Sequence, residues 1–254
     1  LVASTLRLGD SDFLAGRFRF TADAGSTAFV RNEGDLQTSF GGQIVLLGSQ
    51  VQNTGSISAP GGNVSLAGAT SVELVDTGLP NLAVRVDVPA GEVLNLGRLV
   101  SAGGRVDVHA AIVNQNGLVQ AASLGRDALG EVVLRASDTL TLGAASVTQA
   151  TGAAGVTGGK VDLLGAQVAL VGQALVDVSG DAGGGRMRLG GGAEGRDRSV
   201  PNSRAVYFGP DATLRADAGE RGPGGNIVLW SDEATRAYGT LSARGGRLGG
   251  EGGF

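Results

Sequence analysis

A pair of glycines followed by alternating apolar residues recurs along this chain and limits the folds open to it. Copies begin at residues 41, 61, 103, 158, 184 and 224, and LGEVVL at 129 is a degenerate copy. The second and fourth residues after the glycines are always apolar, as Val64 and Leu66 are in GGNVSL, whereas the third is mixed. A period of two predicts strands that bury one face, with the third residue facing water.

A second motif lies between these strands and fixes the length of the repeat. VRNEGDL, VQNTGSI, VLNLGRL and VNQNGLV begin at residues 30, 51, 93 and 113, so the intervals are 21, 42 and 20 residues, with one copy missing. Short strands and glycine turns at such a period are typical of a solenoid, and no helical apolar stripe is sustained. The sequence therefore predicts an all-β fold, a right-handed parallel β-helix with coils of about 20–28 residues.

One position of the second motif carries an amide in every copy. The residues are Asn32, Asn53, Asn95 and Gln115. We expect a structural ladder, in which each side chain hydrogen-bonds the amide on the next coil. The alternative is a solvated turn position occupied by residues that tolerate left-handed backbone.

Three stretches depart from the repeat. Between Val72 and Val93, VELVDTGLPNLAVRVDV predicts two strands around a turn at residues 77–81, which is a hairpin outside the coil. Residues 190–204 are rich in glycine and charge, and so is RADAGERGPGG. We expect both to be solvated loops between coils.

Few side chains could carry chemistry. The chain has no cysteine, and its one histidine, His109, is predicted to be a surface or turn residue at a strand end. No catalytic, cofactor-binding or metal site is therefore predicted. Asp107 and Asp162 occupy equivalent outward positions, but Val133 lies between them and no Phe, Tyr or Trp occurs from residue 41 to 206. We interpret them as solvated surface acids rather than as a sugar-cleaving pair.

Charge and hydropathy exclude two kinds of partner. The net charge is −4 and no cluster of basic and aromatic residues occurs, so nucleic acid is not expected. No apolar run approaches the roughly 18–20 residues of a membrane-spanning helix, so the chain is not expected to cross a membrane as a helix.

Two stretches resemble a known family. LVASTLRLGDSDFLAGRFRF, followed by VRNEGDLQTSFGGQIVLLGSQVQNTGSISAPGGNVSLAG, resembles the later part of the secretion domain of filamentous-haemagglutinin-like exoproteins. GGNIVLWSDEATRAYGTLSARGGRLGGEGGF is similar to segments further along such proteins. The resemblance implies a right-handed β-helix without catalysis or cofactor, in a Gram-negative surface protein. It also implies export through the periplasm and outer membrane by a dedicated β-barrel transporter, which is two-partner secretion.

This resemblance assigns residues 1–110 to the later part of the secretion (haemagglutination activity) domain and residues 111–254 to a continuing β-helical stalk, both ends continuing in a longer protein. The family's Asn-Pro-Asn export motif is expected upstream of residue 1, so poor export of this stretch alone is expected. The expected function is structural, in a secreted adhesin whose host-cell or glycan ligand the sequence does not identify. The alternatives are a β-helical polysaccharide lyase or hydrolase, and an autotransporter passenger.

Overall fold

The computed structural model describes residues 1–76, 82–125 and 128–254, and nearly all its regular structure is β-strand. Strands from successive turns of the chain pair in parallel, as the repeat predicts, and build a parallel β-helix. We describe its strands as three sheets, of which the first two are joined through shared long strands. The first sheet contains Val2–Ser4 and the strands that follow the glycine motif: Gln43–Gly48, Asn63–Val75, Arg105–Gln115, Glu131–Leu142, Lys160–Leu164, Arg186–Leu189 and Asn226–Leu229.

The other two sheets close each coil. The second sheet carries the amide motif and shares two long strands with the first: Phe29–Asn32, Gln50–Asn53, Glu92–Asn95, Arg105–Gln115, Glu131–Leu142, Gln167–Leu170, Ser203–Phe208 and Ser231–Ala237. The third sheet is made of three-residue strands: Asp35–Gln37, Ser56–Ser58, Arg98–Val100, Leu118–Gln120, Val147–Gln149, Leu175–Asp177, Thr213–Arg215 and Thr240–Ser242.

Coil length varies because two coils carry excursions. The residues stacked in the second sheet are 21 apart from Asn32 to Asn53 and 20 apart from Asn95 to Gln115. The separation doubles to 42 from Asn53 to Asn95, across the coil that contains the interrupted stretch. Beside the third sheet, the separation between the stacked residues Ser179 and Asp217 is 38, across the coil that contains residues 190–204. Each excursion leaves the coil and returns in register.

The alternation places a continuous apolar core inside the coils. Val64, Val106, Val132 and Val161 stack in one column and are completely buried. The glycines allow the corners of successive coils to approach closely, since a Cβ built on Gly62 would lie only 1.8 Å from a carbonyl oxygen of the preceding coil. A side chain at that corner is incompatible with stacking.

A small antiparallel sheet lies outside the coil. The distal part of the strand Asn63–Val75 pairs with Ala83–Pro89 on one side and with Phe18–Thr21 on the other. Phe18–Thr21 also pairs with Arg7–Leu8, and the helix Asp10–Leu14 joins those two strands. The predicted hairpin is thus present as strands, while its turn at residues 77–81 lies outside the described residues. We call these four strands the covering sheet.

The covering sheet corrects one expectation about the outward positions. The third residue after the glycines was predicted to face water, yet Val45 is completely buried and Ser65 is 4% exposed. Both lie under the covering sheet, where Val45 and Leu47 pack with Val72 and Leu74 in a second apolar core. The first sheet is therefore buried on both faces in its N-terminal coils.

Candidate functional site

The four motif amides form one continuous ladder inside the coil. Asn32 Nδ2 donates to Asn53 Oδ1 over 2.8 Å, and Asn53 Nδ2 donates to Asn95 Oδ1 over 2.8 Å. Asn95 Nδ2 donates in turn to Gln115 Oε1 over 2.7 Å. All four residues are buried, because the backbone register stacks them directly on successive coils.

The ladder ends where the sequence changes from amide to aliphatic. Gln115 pairs in register with Leu142, which offers no acceptor. The longer Gln115 side chain instead donates Nε2 to the carbonyl oxygens of Gly117 and Val147, over 2.9 and 3.2 Å. Each described amide group of the ladder therefore has a partner, as a buried polar network requires.

The outer face of the first sheet carries a chain of ion pairs that spans four coils. Its members, in order of contact, are Asp107, Arg105, Glu131, Lys160, Asp162, Arg188 and Asp197. Arg188 Nη2 lies 2.6 Å from Asp162 Oδ2, and its Nη1 lies 2.6 Å from Asp197 Oδ2. The last contact holds residues 190–202 against this face of the sheet.

Two expectations are wrong at this network. Asp162 is not a solvated surface acid but is 3% exposed, and Arg188 beside it is 6% exposed. Residues 190–204 are not a freely solvated loop, because Gly190, Gly191 and Val200 are buried. The segment packs on the coil and contains the short 3₁₀ helix Ala193–Gly195.

The electrostatics of these acids differ from those of a catalytic pair. Burial opposes ionisation of Asp162, but hydrogen bonds from Arg188 and Lys160, together with their charges, hold its pKa below the ordinary value. Asp107 accepts hydrogen bonds from Arg105 on both carboxylate oxygens. A glycosidase needs one carboxyl group whose pKa is raised so that it can donate a proton. Asp162, whose pKa is lowered, is not suited to act as that acid.

His109 lies within the strand Arg105–Gln115, so the predicted place at a strand end or in a turn is wrong, and its side chain is partly exposed. Burial, and the nearby charge of Arg135, lower its pKa to about 4, so the imidazole is neutral at pH 7. His109 and Arg135 face one another in register on the outer face of the sheet. They line a cavity of about 440 Å³ beside the covering-sheet strand Ala83–Pro89.

Two other kinds of site are absent from the described part of the chain. No group of three or more His, Cys, Asp or Glu side chains is arranged to hold a metal ion. No helix there combines the length and apolar character required to span a membrane.

The fold and these features define a parallel β-helix with a four-stranded covering sheet on its N-terminal coils. No protein-family model matches the sequence, and no curated protein does. Among solved structures, the chain is similar to the HMW1 secretion domain from Haemophilus influenzae, with a TM-score of 0.88 and 28% sequence identity. The match covers 98% of this chain and 67% of that one, so it includes both the coils and the covering sheet.

Proposed function

We propose that this chain is the secretion-domain region of a two-partner exoprotein of the filamentous-haemagglutinin-like kind. The observation that supports this most strongly is the likeness to a secretion domain over nearly the whole chain. A secreted exoprotein needs a passage through the outer membrane, and the partner in our proposal is a dedicated β-barrel transporter. The coil itself is structural, and the full-length protein is a surface adhesin.

Within this proposal, residues 1–110 carry the contacts with the transporter and residues 111–254 continue the stalk. All four strands of the covering sheet lie within residues 1–110. The division concerns function rather than folding, because the strand Arg105–Gln115 crosses it and one apolar core runs through both parts.

Exposed apolar side chains in the first part are suited to such contacts. Phe13 and Leu14, on the short helix of the covering sheet, are 60% and 84% exposed. Exposed apolar groups that lie close together commonly mark interaction surfaces. In the second part, Tyr207 and Tyr238 are also exposed and lie close together, with ring centroids 6.0 Å apart. They provide a control pair for Phe13 and Leu14.

A binding assay with the outer-membrane β-barrel transporter of the proposed two-partner pair tests the proposal. The purified chain is titrated onto the detergent-solubilised transporter, and binding is measured by biolayer interferometry. We expect saturable binding that Phe13→Ser with Leu14→Ser weakens about tenfold, the effect of losing roughly 1.4 kcal/mol of buried apolar contact. Tyr207→Ser with Tyr238→Ser should not weaken it.

Two outcomes contradict the proposal. The first is the absence of binding by the folded chain. The second is equal weakening by both pairs of substitutions, which would remove the assignment of recognition to residues 1–110. Release of reducing ends from pectic, uronic or neutral glycans, lost in Asp107→Asn or Asp162→Asn, would favour the polysaccharide lyase or hydrolase instead.

A further inference from the structure

The outer face of the first sheet is covered at both ends but not between them. One column of outward residues makes this visible: Leu47, Ala67, His109, Arg135 and Leu164 stack in register on five successive coils. Leu47 and Ala67 are buried under the covering sheet, and Leu164 is buried further along the coil. The two coils between them form a gap, at the residues His109 and Arg135, which we call the notch.

The notch is a cavity with a wall and a floor rather than a shallow surface depression. Its volume of about 440 Å³ lies within the roughly 300–1,000 Å³ typical of ligand sites. One wall is the strand Ala83–Pro89 with the apolar residues Val84 and Val86, and the floor is the sheet itself. At about 4.8 Å per strand, a gap of two coils is roughly 10 Å wide, enough for one extended chain.

Arg135 in the notch has an unused donor. Its Nε is buried and makes no hydrogen bond. Arg105, Lys160 and Arg188 on this face form ion pairs, whereas Arg135 forms none with a described residue. A buried guanidinium N–H without a partner is costly, and a carboxylate is the group that best fits its planar fork.

The wall of the notch offers a second kind of contact. Among described residues, Ala83–Pro89 pairs only with Asn63–Val75, so its other edge is unpaired. The N–H and C=O groups on such an edge can form hydrogen bonds with the backbone of an added strand. A small anion would satisfy Arg135 alone, whereas an extended peptide also satisfies the free edge.

We propose that the notch binds an extended peptide segment of another protein that carries a carboxylate side chain. The segment adds as a fifth strand to the covering sheet, beside Ala83–Pro89. Its acidic side chain points to the floor and pairs with Arg135, with the neutral His109 ring as a further hydrogen-bond donor. The nearby Asp107 does not repel it strongly, because Arg105 already neutralises that carboxylate. Flanking apolar residues of the segment pack on Val84.

Fluorescence anisotropy with the purified chain tests this site without any transporter, so its outcome is independent of the proposed export function. The probe is a fluorescein-labelled peptide, TVTETVT, which places Glu and two Val on one side of a strand. The matched control peptide is TVTQTVT. Two more versions of TVTETVT are N-methylated at alternate residues, one set in each register, so that one of them cannot donate to the sheet edge.

We expect TVTQTVT to bind about tenfold more weakly than TVTETVT, and one N-methylated peptide to lose binding. Arg135→Gln should weaken TVTETVT about tenfold and make the two unmethylated peptides equal, whereas Arg135→Lys should weaken it less. Arg236→Gln, an exposed arginine on the second sheet, is the matched control and should have no effect. Because His109 is the single histidine, its imidazole NMR signals should shift on addition of TVTETVT.

Three results overturn the proposal. They are no saturable binding of TVTETVT at millimolar concentration, equal binding by folded Arg135→Gln protein, and unchanged binding of both N-methylated peptides. Self-association of the chain in sedimentation velocity that Arg135→Gln abolishes would also overturn it, because the occupant would then be a second copy. Circular dichroism melts establish that each variant is folded.

Discussion

Changing one amide of the ladder to a carboxylate should destabilise the coil in a pH-dependent way. In Asn53→Asp the side chain keeps its shape, but the group that donates becomes an acceptor. Asn53 Nδ2 now lies 2.8 Å from Asn95 Oδ1 and 3.3 Å from the carbonyl oxygens of Gly55 and Arg98. An ionised carboxylate there would face three acceptors with no water, because Asn53 is completely buried.

The magnitude follows from proton linkage. The buried carboxyl group escapes repulsion by taking up a proton, which it can donate to Asn95 Oδ1. The pKa of Asp at position 53 is then raised in the folded state, while in the unfolded state it stays near 3.9. The folded state binds the extra proton, so stability falls as pH rises above about 4, by about 1.36 kcal/mol per pH unit. At pH 7 the accumulated loss is about 4 kcal/mol, a large part of an ordinary folding free energy.

Urea unfolding followed by far-UV circular dichroism at pH 4.5, 5.5, 6.5 and 7.5 measures this effect. Gln52→Glu makes the same chemical change one residue away, on the partly exposed outer face, and should change the unfolding free energy by less than about 0.5 kcal/mol. Trp230 lies in the last coils, so its fluorescence should report a smaller change than circular dichroism. A loss in Asn53→Asp that is independent of pH, or no larger than that of Gln52→Glu, would refute the ladder as a source of stability.

Three further substitutions test the close approach of two coils at Gly62, the notch, and the contact that holds residues 190–202 on the coil. Gly62→Ala places a Cβ against a backbone carbonyl of the preceding coil and should cost about 3 kcal/mol by calorimetry, while Gly34→Ala, with open space around it, should be tolerated. The pKa of His109 is lowered to about 4, so the unfolded state binds more protons between pH 4 and 6.5 and stability falls on acidification through that range. His109→Gln should therefore show a shallower dependence of urea midpoints on pH. Asp197→Asn should speed proteolytic nicking of residues 190–202, whereas Glu194→Gln, whose ion pair with Arg196 is exposed to solvent, should not. Equal rates of nicking would show that the Asp197 contact does not hold the segment.

The interior of the coil could be predicted from the sequence because its contacts are periodic. A residue such as Val64 meets its equivalents on the neighbouring coils, so one motif repeated in register determines the whole column. The amide position could be predicted for the same reason. Asn32 and Asn53 lie 21 residues apart in the sequence and are direct neighbours in the structure.

The outer face could not be predicted in the same way, because its environment depends on what the excursions cover. Asp162 and Asp107 occupy equivalent positions, yet only Asp162 is buried, since residues 190–202 reach its coil. One local signal was present. In GGQIVLLG the apolar residues run without interruption through Val45 and Leu47, which is typical of a strand buried on both faces.

Lengthening a coil by an excursion adds little to the free energy of loop closure. Doubling a coil from 21 to 42 residues adds only about 0.6 kcal/mol of loop-closure free energy. Ordering the added residues costs much more, about 1–2 kcal/mol each, so an excursion becomes ordered only where its own hydrogen bonds and burial offset that cost. The covering sheet does so with apolar residues such as Val72, and residues 190–202 do so partly through Asp197. Between them no described excursion supplies such contacts, and Arg135 remains without an ion pair among the described residues. A strand from another protein can therefore occupy on these two coils the position that the chain's own strands occupy on their neighbours.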